Sequence, residues 1–206
     1  MALVVGKDGK EPVALRRLVT LVALEPRQDY DGRQLRPHFL RTRFGVHGDA
    51  VVAFRGACEV RGDALVDLAD REGGLFIKSG DMLHVLVERF DTDLVRAVLI
   101  QRLLASRCAD RVRNATTEPV VRKGDDVYVG GRKLNVSIAT VSPVSTLVHF
   151  GVNIDAALAP VAAIGLKDLG LDPLRFAEGL LSDLDSELEA VALAASKVAP
   201  AHGEPA

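Results

Sequence analysis

Only two cysteines occur in the 206 residues, Cys58 and Cys108, and they form no CxxC or CxxH pattern, so neither a disulfide framework nor a zinc site is expected. Charge of one sign is lacking too. A formal net charge of −2 and a pI near 6.2 leave no basic excess for an extended nucleic-acid or membrane surface, although a local basic cleft stays open. No run of about 18 apolar residues appears, and the start, MALVVGKDGKEP, lacks the charged and apolar regions of a signal peptide. The expectation is a cytoplasmic protein that neither crosses nor rests on a membrane. There is no internal repeat and no arrangement of a serine triad.

What is present reads as one domain. At 48% hydrophobic and 26% charged residues the composition is that of a globular chain, and its length favours a single core. Residues 1–14 are rich in turn formers and charge and are expected to be a flexible leader, 15–198 the domain, and 199–206 a disordered tail. Strands are predicted at 15–24 and 50–60, the latter with Arg55 and Gly56 in its middle, where a bulge or close backbone approach fits. A short helix falls within 29–45 and stops at Gly45. Further strands are expected at 75–79 and 81–90. Asp93 caps a helix over 94–112 with Val95, Val98, Leu99 and Leu103 as its apolar stripe, and Asp172-Pro173 opens a helix that runs to the tail. Strands and helices in separate blocks indicate an α+β fold, two layers with a mostly antiparallel sheet.

The stretch GGRKLNVSIATVSPVSTLVHFGVNID, 130–155, carries most of the functional signal. Gly130-Gly131 suits a tight hairpin, and two long strands come after it, joined around Ser142-Pro143. Alternation puts Lys133, Asn135, Ser137 and Ala139 on one face of the first strand and Leu147, His149, Gly151 and Asn153 on one face of the second. Read together, these form a small, polar sheet face on which a ligand can lie. The competing reading is a half-solvated sheet with polar residues in water. Small residues argue for the former, because exposed strand faces favour threonine and long charged side chains.

From Asp29 to Val198 the chain resembles an uncharacterised family catalogued as domain of unknown function three-six-six. The resemblance rests on DYDGRQL, VVAFRG, SGDMLHVLVERFD, the 124–154 stretch and GLKDLGL. That family is thought to share the fold of class II aminoacyl-tRNA synthetases, biotin protein ligases and lipoate ligases. A more distant resemblance touches lipoate ligases and octanoyltransferases at three points. GGRKL is similar to their Gly-Arg-Lys turn, which implies a role for Lys133 against a carbonyl or phosphate. HFGVNID is similar to their His-x-Gly strand and implies ligand contacts at His149, Gly151 and Asn153; REGG stands where they keep an Arg-x-x-Gly-Gly loop, implying Gly73 and Gly74. ATP with magnesium is the cofactor the ligases imply, but EGGLFIKSG offers little of a phosphate loop, and no cysteine follows the Asn153 strand to carry an acyl group.

The candidate catalytic residues are therefore Lys133, as a fixed positive charge, and His149, as an acid–base group. Candidate ligand contacts are Asp31, Arg55, Gly73, Gly74, Asn135, Ser137, Gly151 and Asn153. Each has a plainer reading: Asp31 caps its own turn, Arg55 pairs with a carboxylate, and a strand histidine such as His84 is structural. Three functions stay open: a ligase- or acyltransferase-like enzyme, a non-catalytic binder of a small molecule, and a homodimeric interaction protein.

Overall fold

A computed structural model describes residues 18–199, so the leader and nearly all of the tail expected at 199–206 lie outside the described residues. Five strands form the main sheet in the order β1-β2-β3-β8-β7, made of Val19–Ala23, Ala50–Arg61, Phe76–Arg89, Thr146–Asp155 and Asn135–Val141. Only β1 runs parallel to its neighbour. The stretches 75–79 and 81–90, expected as two strands, are one strand, β3, with a register shift at Asp81–Met82. A smaller sheet holds β4 (Val120–Lys123), β5 (Asp126–Val129) and β6 (Arg132–Lys133).

Two long helices cover one face. Helix α3 (Leu94–Arg113) begins where the Asp93 side chain accepts a hydrogen bond from the Arg96 N–H, and α4 (Pro173–Ser196) where Asp172 does the same for Arg175. The capping read from the sequence is thus realised, but the apolar stripe of α3 is not the expected one. Val95 and Leu99 are 70% and 63% exposed; the sheet is met instead by Ala97, Ile100, Leu104, Ala105, Cys108, Ala109 and Val112. The alanines at 97, 105 and 109 let the helix axis approach the sheet closely between the larger Ile100, Leu104 and Val112.

The opposite face has a thinner cover: Tyr30, the short helix α1 (Phe39–Phe44) and Leu65 pack on Val52, Phe54, Met82 and Leu86. Helix α1 ends at Gly45, whose φ of 72° suits glycine. Because β2, β3 and β8 are buried on both faces, they read as nearly continuous apolar runs. At Gly56 the strand bulges, and the backbone of Gln28–Asp29 lies where a side chain would go, so both features expected there coexist.

Candidate functional site

The Gly130-Gly131 turn has φ of 55° and 79°, the conformation of a tight hairpin, and delivers Lys133 to the edge of the main sheet. There the Lys133 N–H donates to the Ala162 carbonyl and its own carbonyl accepts from Ile164, which stitches the 159–163 loop beside it. A cleft of about 380 Å3 opens at this edge. Its floor includes Met82, Val136 and Asn153, and its walls are Ile77 and Lys78 of β3, Ala159–Ala163, and the short helix α2 (Leu68–Glu72) with Asp67 and Leu75. Lys133 Nζ lies 2.9 Å from Asp126 Oδ1, both side chains being partly exposed. Asp126 also accepts from the Tyr128 hydroxyl, and burial followed by the nearby Asp126 pushes that phenol above its ordinary pKa.

The polar face expected from alternation does not exist as a single surface. Register pairs Asn135 with Val152, Ser137 with Phe150 and Ile138 with His149, and directly paired residues share a face. Asn135 and Ser137 therefore lie on the α3 side of the sheet, whereas His149, Gly151 and Asn153 lie on the Tyr30 side. Although both line the cleft rim, Asn135 and Ser137 are spent internally. Asn135 accepts from the Val127 N–H at 2.7 Å and donates to the Asp125 carbonyl at 2.9 Å. Ser137 donates to Asp125 Oδ2 at 2.7 Å and accepts from Gln101 at 2.9 Å. Asp125 is the hub of this network and also faces Arg102.

The other candidates scatter. Asn153 stays in the cleft with only a 3.4 Å hydrogen bond from its amide to the Ile164 carbonyl. Gly151 leaves no free room above it: an added Cβ would run into Met82 Sδ and stand 3.3 Å from Val136. Arg55 belongs to a separate hollow, where it grips Asp81 with contacts of 2.5–3.1 Å, and the same Asp81 also receives Arg27. Asp31 accepts from the Arg33 N–H and faces Arg33, its plainer reading. Gly73 and Gly74 end α2, their N–H groups donating to Ala69 and Arg71 carbonyls. That is the carbonyl-rich pole of a helix with its amides already used, so these glycines do not fit a phosphate cradle, and they support no step through ATP.

His149 and His84 are both fully buried, with His149 Nε2 3.0 Å from His84 Nδ1. Tyr30 stacks on His149 at 3.9 Å between ring centroids and Phe54 on His84 at 4.9 Å. Burial lowers the His84 pKa to about 4, and burial together with the neighbouring His84 holds that of His149 well below its ordinary value. Both thiols are buried and pushed up to about 12 by desolvation, which disfavours thiolate chemistry near neutral pH. Among the described residues no cluster of three or more histidine, cysteine or acidic side chains has the spacing to hold a metal, and no helix is long and apolar enough to cross a membrane. The neutral, stacked histidine pair was missed at the sequence level, because its members are 65 positions apart.

Residues 19–199 match the family described as "Domain of unknown function (DUF366)". The uncharacterized protein MJ0805 of Methanocaldococcus jannaschii is 36% identical over 159 residues, which is 74% of this chain and 72% of that protein. A protein of unknown function from Pyrococcus horikoshi superposes with a TM-score of 0.84 at 40% identity, covering 90% of this chain and 100% of the other. Biotin protein ligase from Aquifex aeolicus, in complex with biotin and ATP, gives 0.53 at 15% identity over 87% of this chain and 73% of the ligase. The T. acidophilum protein Ta0514 with bound lipoic acid gives 0.51 at 14%, over 84% and 86%. At such identities the last two share the fold alone, and they bear out the α+β architecture that the resemblance implied.

Proposed function

The chain belongs to the DUF366 family, and from that premise we propose that its edge cleft binds a small organic acid or acyl compound with Lys133 as the electrostatic anchor. The observation that carries this reading is the Lys133 ammonium, fixed by a rigid hairpin and a backbone ladder, at the mouth of a cleft whose floor is Met82 and Val136. A half-desolvated cation beside an apolar floor favours a ligand with an anionic or carbonyl end and an apolar body. On binding, the ligand exchanges with Asp126 for the ammonium. Asn153 is the second polar contact, and His149 acts from deeper in the molecule. The fold neighbours support the class of ligand, since one is bound to biotin and ATP and the other to lipoic acid. The buried, protonated thiols argue against a cysteine acyl intermediate.

Calorimetry with biotin, lipoate and linear fatty acids tests the reading, each with and without ATP and magnesium. Charge-assisted hydrogen bonds contribute about 1.5–3 kcal/mol, so Lys133→Ala is expected to weaken binding roughly ten- to a hundredfold. Unchanged affinity in Lys133→Ala would remove the anchor. Turnover that needs ATP would make the protein a ligase; binding without turnover would make it a carrier or sensor.

Self-association is a second reading, favoured by the exposed Val95 and Leu99 of α3 and the exposed Val191 of α4, which line one hollow between the two helices. Contiguous exposed apolar surface of this kind marks interaction sites. Light scattering that shows a dimer, converted to monomer by Leu99→Asp, supports it; a monomer at every concentration removes it.

A further inference from the structure

The charges that line the edge cleft do not balance. Four carboxylates, of Asp67, Asp70, Asp125 and Asp126, share it with two ammonium groups, of Lys78 and Lys133. Asp126 is matched by Lys133 at 2.9 Å and Asp125 by Arg102 at 3.5 Å, while Lys78 lies 3.8 Å from Glu59, which does not line the cleft. No cation is left for Asp67 and Asp70. Arg71, the one cation of helix α2, spends its guanidinium on the Asp63 and Leu65 carbonyls. Asp67 caps α2 with a single oxygen, which accepts from the Ala69 and Asp70 N–H groups. Its other oxygen and the carboxylate of half-buried Asp70 have no partner among the described residues.

Asn153 adds a third acceptor. It is only 6% exposed, and the Ile164 carbonyl fixes which way its amide faces, because turning the amide over would set oxygen against oxygen. Asn153 Oδ1 is thereby left without a partner among the described residues, yet it is open to solvent from the cleft. The Asn153 N–H donates to the Leu134 carbonyl, so this oxygen belongs to the Lys133 end. Asp67 and Asp70 belong to the far end: they share a small hollow with Ser137, four positions after Lys133 and at most roughly 13 Å away along an extended chain. Unspent acceptors thus stand at both ends of a cleft whose floor is apolar.

We infer that the cleft takes a basic amino acid, with its carboxylate at Lys133, its α-ammonium at Asn153 Oδ1 and Asp126, and its side-chain cation at Asp67 and Asp70. This rests on the proposed binding of an acid at Lys133 and says which class of acid it is. A plain acid that takes Lys133 from Asp126 strands that carboxylate, whereas an α-ammonium beside the acid group pairs it again. A plain acid also leaves Asp67, Asp70 and Asn153 unused. Carboxylates without a counter-charge on a cleft wall favour a cation over a neutral chain end, and because this wall is partly open to solvent the preference is moderate and falls with salt. The distance between the two ends calls for a cation several carbons from the acid group, as in an amino acid with a long basic side chain.

Four acids of equal chain length separate the two ammonium positions: free lysine carries both, norleucine the α-ammonium, ω-aminohexanoate the distal one and hexanoate neither. Calorimetry at low salt should show free lysine bound at least about fivefold tighter than norleucine, and ω-aminohexanoate likewise tighter than hexanoate, as partly screened charge-assisted hydrogen bonds provide. Raising the salt to about 0.5 M should shrink both differences. The distal preference should vanish in Asp67→Asn/Asp70→Asn, which keeps a capping side chain at the start of α2. In Asn153→Ala the advantage of norleucine over hexanoate should fall, and Lys133→Ala should weaken all four. Equal binding of free lysine and norleucine by the unaltered protein, with Lys133→Ala still weakening both, would refute the inference and leave the Lys133 cleft standing. So would a distal preference that survives in the double aspartate variant. Failure of all four acids to bind would overturn both readings.

Discussion

Lowering the pH should destabilise this protein well before its carboxylates titrate, because His84 and His149 are buried as a neutral pair. Desolvation holds the His84 pKa at about 4, against an ordinary value of 6.5, and holds that of His149 low as well. A depressed folded-state value means that the unfolded chain takes up protons first: stability is full above pH 6.5 and is lost as the pH falls from there toward 4. One fully buried histidine that stays neutral costs about 2 kcal/mol by about pH 5, and the pair about 4 kcal/mol. That is a large part of the 5–15 kcal/mol, roughly, that holds a domain folded. The charges that face His84 are Asp29 and Asp81, both of which resist the shift but are outweighed by burial. Glu59 and Asp155, whose carboxyls are held low by Arg61 and by the Ala157 N–H respectively, lose their contribution only at more acidic pH. Urea unfolding followed from about pH 7 to pH 5 measures the loss, and the double variant His84→Leu/His149→Leu should flatten the slope. A wild-type change below about 1 kcal/mol across that window would refute the neutral pair, because each buried neutral histidine must contribute more than that. So would a double variant that kept the whole slope.

Gly56→Ala should cost about 2 kcal/mol or more in urea unfolding, because the new methyl meets the Gln28–Asp29 backbone, which cannot rotate away as a side chain can. Asp125→Ala should destabilise by about 1–3 kcal/mol in the same assay, since it leaves the Ser137 hydroxyl without its acceptor and the buried Gln101 amide with one of its two. Leu104→Ala should cost about 2–5 kcal/mol as a buried truncation, while Leu99→Ala on the exposed side of the same helix should change thermal stability little in dilute protein.

The elements were legible where a local residue choice has one physical outcome. Asp93 and Asp172 each cap the helix that starts at the next residue, and Gly130-Gly131 tolerates the positive φ that a two-residue turn requires. The faces were not legible, and the reason lies in register. Strands β7 and β8 are closed by the pair Val141–Thr146, and shifting that pair by one residue would put Ser137 on the side of His149. A sheet with one wet face would reveal the correct choice through its polar residues. Here both faces are covered, by α3 and α4 on one side and by Tyr30 and α1 on the other, so either register buries apolar side chains, and the pattern does not decide.

The same double cover explains how the candidate site divides. Lys133 sits at an edge, where a turn and a loop fix it locally, and so its place beside a hairpin could be read from GGRKL. His149 depends on a ring from β3 and on Tyr30, which reaches the sheet through the 28–30 segment beside β2, so no window of sequence contains its environment. Polar residues in the 130–155 stretch consequently serve two purposes on two faces: Asn135 and Ser137 brace the β5–β7 corner against α3, whereas His149 packs under Tyr30 and Asn153 faces the cleft. Substitutions on the two faces should therefore separate, with Asn135→Ala and Ser137→Ala lowering stability more than affinity and Asn153→Ala lowering affinity more than stability. Parallel loss of both properties in all three variants would mean that the faces do not act independently.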